Sequence, residues 1–218
     1  MAQKFFVCGS GTIGAGKTTV ATLTQNIFGF ELFKESVEDN PYLPLFYRDM
    51  QRWSYKLQRF FLITRFVAHE RMLMHPVSVV QDRSIYEDME IFARLQMKKA
   101  LWSDEQIERY KRFCDLVYRE IEPPDLIIFL KASVPVVKER IRKRGRDYEA
   151  DLLKDDNDYL DQLDALYEQW VRDYKLSTKI TIDTDNLNII DNPEDLKTMV
   201  NKIKRALVKE ESRLDSFV

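Results

Sequence analysis

The stretch GSGTIGAGKTT at residues 9–19 holds four of the chain's six glycines. Gly11, Gly16, Lys17 and Thr18 satisfy the spacing G-x-x-x-x-G-K-[ST] in full. The run follows the apolar stretch KFFVC and opens an amphipathic one, the strand-to-helix context that this motif requires. Glycine lets such a loop take positive φ and brings its amide N–H groups close to a ligand. The helix behind it adds a partial positive charge at its N-terminus. Residues Gly11, Thr12, Ile13, Gly14, Ala15, Gly16, Lys17, Thr18 and Thr19 therefore form a candidate phosphate cradle. Lys17 would reach the β- and γ-phosphates of a nucleotide, and the Thr18 hydroxyl would ligate Mg²⁺.

Switches, motors and kinases share this loop. A GTPase would also need D-x-x-G and N-K-x-D. The two remaining glycines, Gly29 and Gly145, have Asn26 and Arg142 three places earlier, and NKIK at 201 lacks the Asp. A transporter ATPase would need a second glycine-rich signature, for which no glycine remains. Small-molecule phosphotransfer is what is left.

The elements that must position this chemistry alternate. β-rich apolar runs at 4–8, 31–34, 77–82, 125–130 and 179–183 predict strands. Amphipathic stretches at 16–28, about 50–74, 86–100, 104–120, 134–144, 156–175 and 194–209 predict helices. SDEQIERY and NPEDLKTM carry helix-start signals, the second with Pro at the first turn. Alternating β and α elements point to a parallel sheet covered on both faces, an α/β fold in one domain over 1–218. The charged run RKRGRDYEADLLKDDNDY, 142–159, lies between two helices and is the candidate mobile segment.

A chain of 218 residues with 44% apolar and 32% charged residues reads as a soluble globule. A formal net charge of −2 argues for no nucleic-acid or membrane partner. No run approaches the ~20 apolar residues of a membrane span. The start, MAQKFFVCGSG, does not fit a signal peptide. Cys8 and Cys114 are the only cysteines, which suits a reduced, cytoplasmic protein. His69 and His75 lack partners at metal-ligand spacing.

Three further stretches carry chemistry. Glu35, in FKESVEDNPYLPLFY, sits at the carboxyl end of the second strand, where open α/β sheets bind ligands. Asp82 and Arg83, in QDRSIYED, take the equivalent place after the third. KERIRKRGRDYE runs from a helix into the charged segment. Together these resemble the deoxyribonucleoside kinase family over about residues 4–205. GTIGAGKTT, DRSIYED and RIRKRGR are the most specific pieces, and KESVEDNPYLPLFYRDM is most like the bacterial deoxyadenosine and deoxyguanosine kinases.

The resemblance implies a P-loop kinase fold with a five-stranded parallel sheet in the order 2-3-1-4-5, an Arg-rich lid over 142–159, ATP and Mg²⁺ as cofactors, and a homodimer. It implies Glu35 as the base that takes the proton from the nucleoside 5′-OH. It implies Asp82 as a support of Mg²⁺, although many relatives carry the longer Glu there. Arg83 matches the Arg that meets the transferring phosphoryl group. Gln58 and Arg65, seven apart on one helix face, match the base-reading pair, and Asp88 matches the acid that pairs with that Arg. Tyr47 and Glu149 match the readers of the sugar 3′-OH. Phe92 is the candidate stacker on the base. Arg140 and Arg144, i and i+4, and Arg146 beyond Gly145 match the lid arginines. Taken singly, a basic helix end complements the macrodipole, and a Gln or Tyr on a helix is surface or core.

The acceptor implied is a deoxynucleoside, deoxyadenosine first, with deoxycytidine or deoxyguanosine open. A thymidylate-kinase-like monophosphate kinase is the alternative enzyme, and Glu35 argues against it. A non-catalytic nucleotide-binding regulator is the alternative from another class.

Overall fold

Five short runs rich in β-branched and aromatic residues become strands: β1 (Phe6–Ser10), β2 (Glu31–Phe33), β3 (Val79–Gln81), β4 (Leu126–Lys131) and β5 (Thr178–Asp183). The computed structural model describes residues 4–34 and 40–215. All neighbouring strands are parallel, in the expected order β2-β3-β1-β4-β5. β1 is central, with Val7 facing Val80 on one side and Leu126 on the other. Every β1 residue is buried, as both faces of a parallel sheet are covered.

Eight α-helices flank the sheet among the described residues: α1 (Lys17–Phe28), α2 (Leu43–Arg48), α3 (Met50–Leu73), α4 (Arg94–Lys98), α5 (Asp104–Glu120), α6 (Val134–Arg144), α7 (Tyr159–Asp173) and α8 (Pro193–Asp215). Local chemistry sets their ends. Asp49 caps α3 by accepting from the Arg52 N–H. Ser103 and Gln106 form a reciprocal capping box on α5. Gly145 closes α6 in the left-handed region at φ 69°.

Four elements differ from expectation. α2 lies where no helix was expected, in a run that holds Pro41 and Pro44. Pro44 in fact sits in its first turn, where a missing N–H costs nothing. The stretch 86–100 is not one regular helix: Asp88–Ala93 is a π-helical turn, followed by α4. Asp88 and Phe92, both in this turn, line the cleft described below. Within 142–159, Asp147–Leu153 forms a 3₁₀ turn that buries Glu149 and Leu152. α8 runs on to Asp215, beyond the expected 209.

Cys8 and Cys114 are free and buried, and burial pushes the Cys114 thiol up to about 12. No helix among the described residues is long and apolar enough to cross a membrane. His69 is buried, with its ring edge-on to Phe6 at 5.2 Å. Burial lowers its pKa from 6.5 to about 4. The unfolded chain therefore binds this proton more readily, and stability drains away as pH falls from 6.5 toward 4. His69→Leu should show a smaller loss of thermal midpoint over that window than the wild type. Equal losses in the two proteins would contradict this account of His69.

Candidate active site

A cleft of about 1130 Å³ opens where the carboxyl ends of the strands meet α1, α3 and α6. Residues 13–20 line one part of it. Gly11 is at φ 143°, and a Cβ there would lie 2.6 Å from the Leu130 carbonyl oxygen, so only glycine fits. Gly16 caps α1 in the left-handed region and, as a glycine, brings no side-chain acceptor of its own to the first turn. The amides at the start of α1 thus remain donors for an anion. The Lys17 ammonium donates to the carbonyls of Gly11 and Thr12, each at 2.8 Å, which holds it within the loop. Thr18 Oγ1 donates to Asp82 Oδ2 at 2.5 Å. The Asp82 N–H in turn donates to the Phe33 carbonyl, tying the end of β2 to the end of β3.

Arg83 follows Asp82 with φ 150°, a value that L side chains rarely adopt and that marks local backbone strain. Its Nη1 donates to Tyr167 Oη at 2.6 Å and to Glu87 Oε2 at 3.2 Å. The guanidinium carbon lies 4.6 Å from the Phe92 ring centroid, a cation–π contact. Glu87 is completely buried, and its Oε1 also accepts from the Ser84 N–H. The sequence reading missed Glu87 and Tyr167. Glu87 could have been found as the acid four residues after Arg83.

Gln58, Arg65 and Asp88 meet at another part of the cleft. Arg65 Nη1 is ion-paired with Asp88 Oδ1, and both side chains are almost wholly buried. The Arg65 guanidinium also lies over Phe61, at 4.6 Å from the ring centroid. Gln58 Oε1 is buried without a hydrogen-bond partner among the described residues. Phe92, the candidate stacker, lines the cleft, and its ring lies against Arg83.

Tyr47 and Glu149 both line the cleft and are buried. Burial keeps the Tyr47 phenol well above its ordinary pKa, so it remains a protonated donor. Tyr148 stacks on Tyr47 at 5.7 Å, which docks the 3₁₀ turn on α2. Glu149 gathers two of the arginines, accepting from Arg144 at 2.6 Å and lying 3.6 Å from Arg146. Arg140 is placed differently. It donates to the Thr184 hydroxyl and carbonyl, at 3.0 and 2.6 Å, and to the Ala15 carbonyl at 3.4 Å, so it braces the cradle against the loop after β5.

That loop was also missed. Thr184, Asp185 and residues 187–191 line the cleft beside the cradle. The sequence signal was Leu187, Ile189 and Ile190 inside the polar run DTDNLNIIDNP, with Ile190 75% exposed. Glu35 lies outside the described residues, but Lys34 beside it lines the cleft.

This arrangement can hold a polyphosphate on the cradle and a flat polar ring at the Arg65–Asp88 end, with Arg83 lining the same cleft. The family described as "Deoxynucleoside kinase" matches residues 7–209. A deoxyguanosine kinase of Bacillus subtilis is 36% identical over 211 residues, covering 93% of this chain and 98% of the relative. The deoxyadenosine/deoxycytidine kinase of the same organism is 31% identical, with 89% of each chain covered. Among solved structures, the deoxyadenosine kinase of M. mycoides with bound dATP superposes with a TM-score of 0.76 at 27% identity, covering 92% of this chain and 99% of that one.

Proposed function

Because this chain belongs to the deoxynucleoside kinase family, we propose that it moves the γ-phosphate of ATP to the 5′-OH of a purine deoxynucleoside, deoxyadenosine first. The observation that carries the choice of base is the buried trio Gln58, Arg65 and Asp88 on the cleft. A Gln amide can pair with the amine and neighbouring ring nitrogen of adenine at once. Asp88 accepts from an exocyclic amine, and Arg65 donates to a ring nitrogen. Thymine would bring a carbonyl and a methyl against a buried carboxylate, which is costly. Deoxyguanosine is the second reading. It is favoured by the names of relatives at 36% and 35% identity, and the O6 and N7 acceptors of guanine suit Arg65. The monophosphate-kinase alternative loses its ground, since the matched family and the relatives named above act on nucleosides.

In the proposed reaction Glu35 takes the proton of the 5′-OH as its oxygen attacks the γ-phosphorus, and the β,γ-bridging P–O bond breaks to release ADP. Lys17 and the α1 amides hold the phosphates, and Arg83 faces the charge on the transferring group. Thr18 and Asp82 offer a hydroxyl and a carboxylate side by side next to the cradle. This hard-oxygen pair suits Mg²⁺ and would hold it beside bound phosphates. Bound there, Mg²⁺ would neutralise phosphate charge. Tyr47 and Glu149 are the sugar readers in this reading. Residues 142–159 act as the lid, with Arg144 and Arg146 passing from Glu149 to phosphate oxygens. A homodimer is supported by Ile63 and Val67, half exposed one turn apart on α3, and by exposed Leu116 on the neighbouring α5. Buried, unpaired cysteines suit the cytoplasm.

The test of base reading is the double change Arg65→Met, Asp88→Ala. It removes both charges together, so neither is stranded, and makes room for the thymine methyl. The ratio of kcat/KM for thymidine over deoxyadenosine should rise at least tenfold. An unmoved ratio would remove these residues from base recognition.

A further inference from the structure

We propose that Tyr167 of α7 is a positioning residue for phosphoryl transfer, acting through Arg83. The inference rests on the placement of Arg83 at the transferring group. Tyr167 is buried and far from Arg83 in sequence, and it does not line the cleft. Its hydroxyl accepts from Arg83 Nη1 at 2.6 Å and donates to Glu87 Oε2 at 2.5 Å. The direct contact between Arg83 and Glu87 is longer, at 3.2 Å. The phenol is therefore inserted between guanidinium and carboxylate and makes the shorter bond to each.

This geometry has a consequence for charge. A buried Arg and a buried Glu four residues apart would close into a bidentate pair, the tightest arrangement open to them. Such a pair would turn two N–H groups and most of the guanidinium charge toward Glu87. The Tyr167 hydroxyl occupies one lone pair of Glu87 and one N–H of Arg83, and the Ser84 N–H occupies Oε1. Both ends of the carboxylate are thus engaged, and the guanidinium stays over Phe92 at the cleft. Burial raises the phenol's pKa well above its ordinary range, so the donor proton is kept.

The ring is fixed independently of its hydroxyl. It stacks on Phe129 of β4 at 6.1 Å and meets Phe92 edge-on at 6.4 Å. Tyr167→Phe therefore deletes the wedge and leaves the packing. The variant should fold with the wild-type circular dichroism spectrum.

The experiment measures kcat and nucleoside KM with ATP and the best deoxynucleoside acceptor, in four proteins: wild type, Tyr167→Phe, Arg83→Lys and the double variant. Lysine keeps a positive charge beside Glu87, so the Arg83 variant is not left with a stranded carboxylate. Tyr167→Phe should lower kcat about tenfold with KM changed less than about twofold, a loss confined to the transition state. In the Arg83→Lys background the same change should cost nothing further, because the group it positions is gone. A wild-type kcat in Tyr167→Phe, or an equal loss in both backgrounds, overturns the inference. Full activity in Arg83→Lys overturns the role of Arg83 itself, and the inference with it. If no deoxynucleoside is phosphorylated by the wild type, it is the proposed function that fails.

Discussion

Lys17→Ala is expected to lower kcat by about 10²–10³-fold or more, the loss typical when one preorganised donor to developing charge is removed. The reason lies in placement. The ammonium is buried in the loop, where it donates to the Gly11 and Thr12 carbonyls at 2.8 Å, and in the cradle reading it supplies positive charge to phosphate oxygens bound there. An apolar stub offers no donor in its place. Deoxynucleoside KM should move little, because the Arg65–Asp88 end of the cleft is built by α3 and the π-helical turn rather than by the cradle. The thermal midpoint with and without ATP separates the two effects of the change. The unliganded protein should melt close to wild type, while the stabilisation by ATP should shrink. A variant whose kcat stays within about tenfold of wild type, ~1.4 kcal/mol, would contradict the phosphate-cradle reading.

Glu35→Gln is expected to keep nucleoside binding and to lose about 10²–10⁴-fold in kcat, the range for removal of a general base. The amide can still hydrogen-bond the 5′-OH but cannot take its proton. The flanking structure suits the role. β2 ends at Phe33, whose carbonyl accepts from the Asp82 N–H, so the end of the strand lies beside Asp82. Lys34 already lines the cleft. A raised KM with unchanged kcat would make Glu35 a binding residue only.

The sheet was legible in the sequence because its signals are local. β1 opens on the apolar run FVC and β4 on LIIFL, and the glycine spacing marks the loop between β1 and α1. Helix ends were legible where a capping chemistry marked them, as at Ser103 and Gly145. The π-helical turn at Asp88–Ala93 was not, since its apolar pattern also fits a regular helix. At the site, Arg65 and Asp88 could be named from the family pattern, and the structure brings them into an ion pair. Tyr167 could not be named. Nothing in its own neighbourhood on α7 distinguishes it from a core tyrosine, and its meaning appears only when α7 meets β3's exit. Arg140 carried the opposite lesson. Its i, i+4 spacing to Arg144 put both on one face, but the loop after β5 captures the first while Glu149 captures the second.

The central claim is transfer of phosphate from ATP to a deoxynucleoside rather than to a nucleotide. The most direct measurement incubates the protein with Mg²⁺ and γ-labelled ATP against deoxyadenosine, deoxyguanosine, deoxycytidine, thymidine, dAMP and dTMP, and identifies the labelled product of each. The account predicts labelled 5′-monophosphate from the purine deoxynucleosides, deoxyadenosine foremost, little from thymidine, and no diphosphate from either monophosphate. Diphosphate from dAMP or dTMP with no product from any nucleoside, or thymidine as the preferred acceptor, would contradict it.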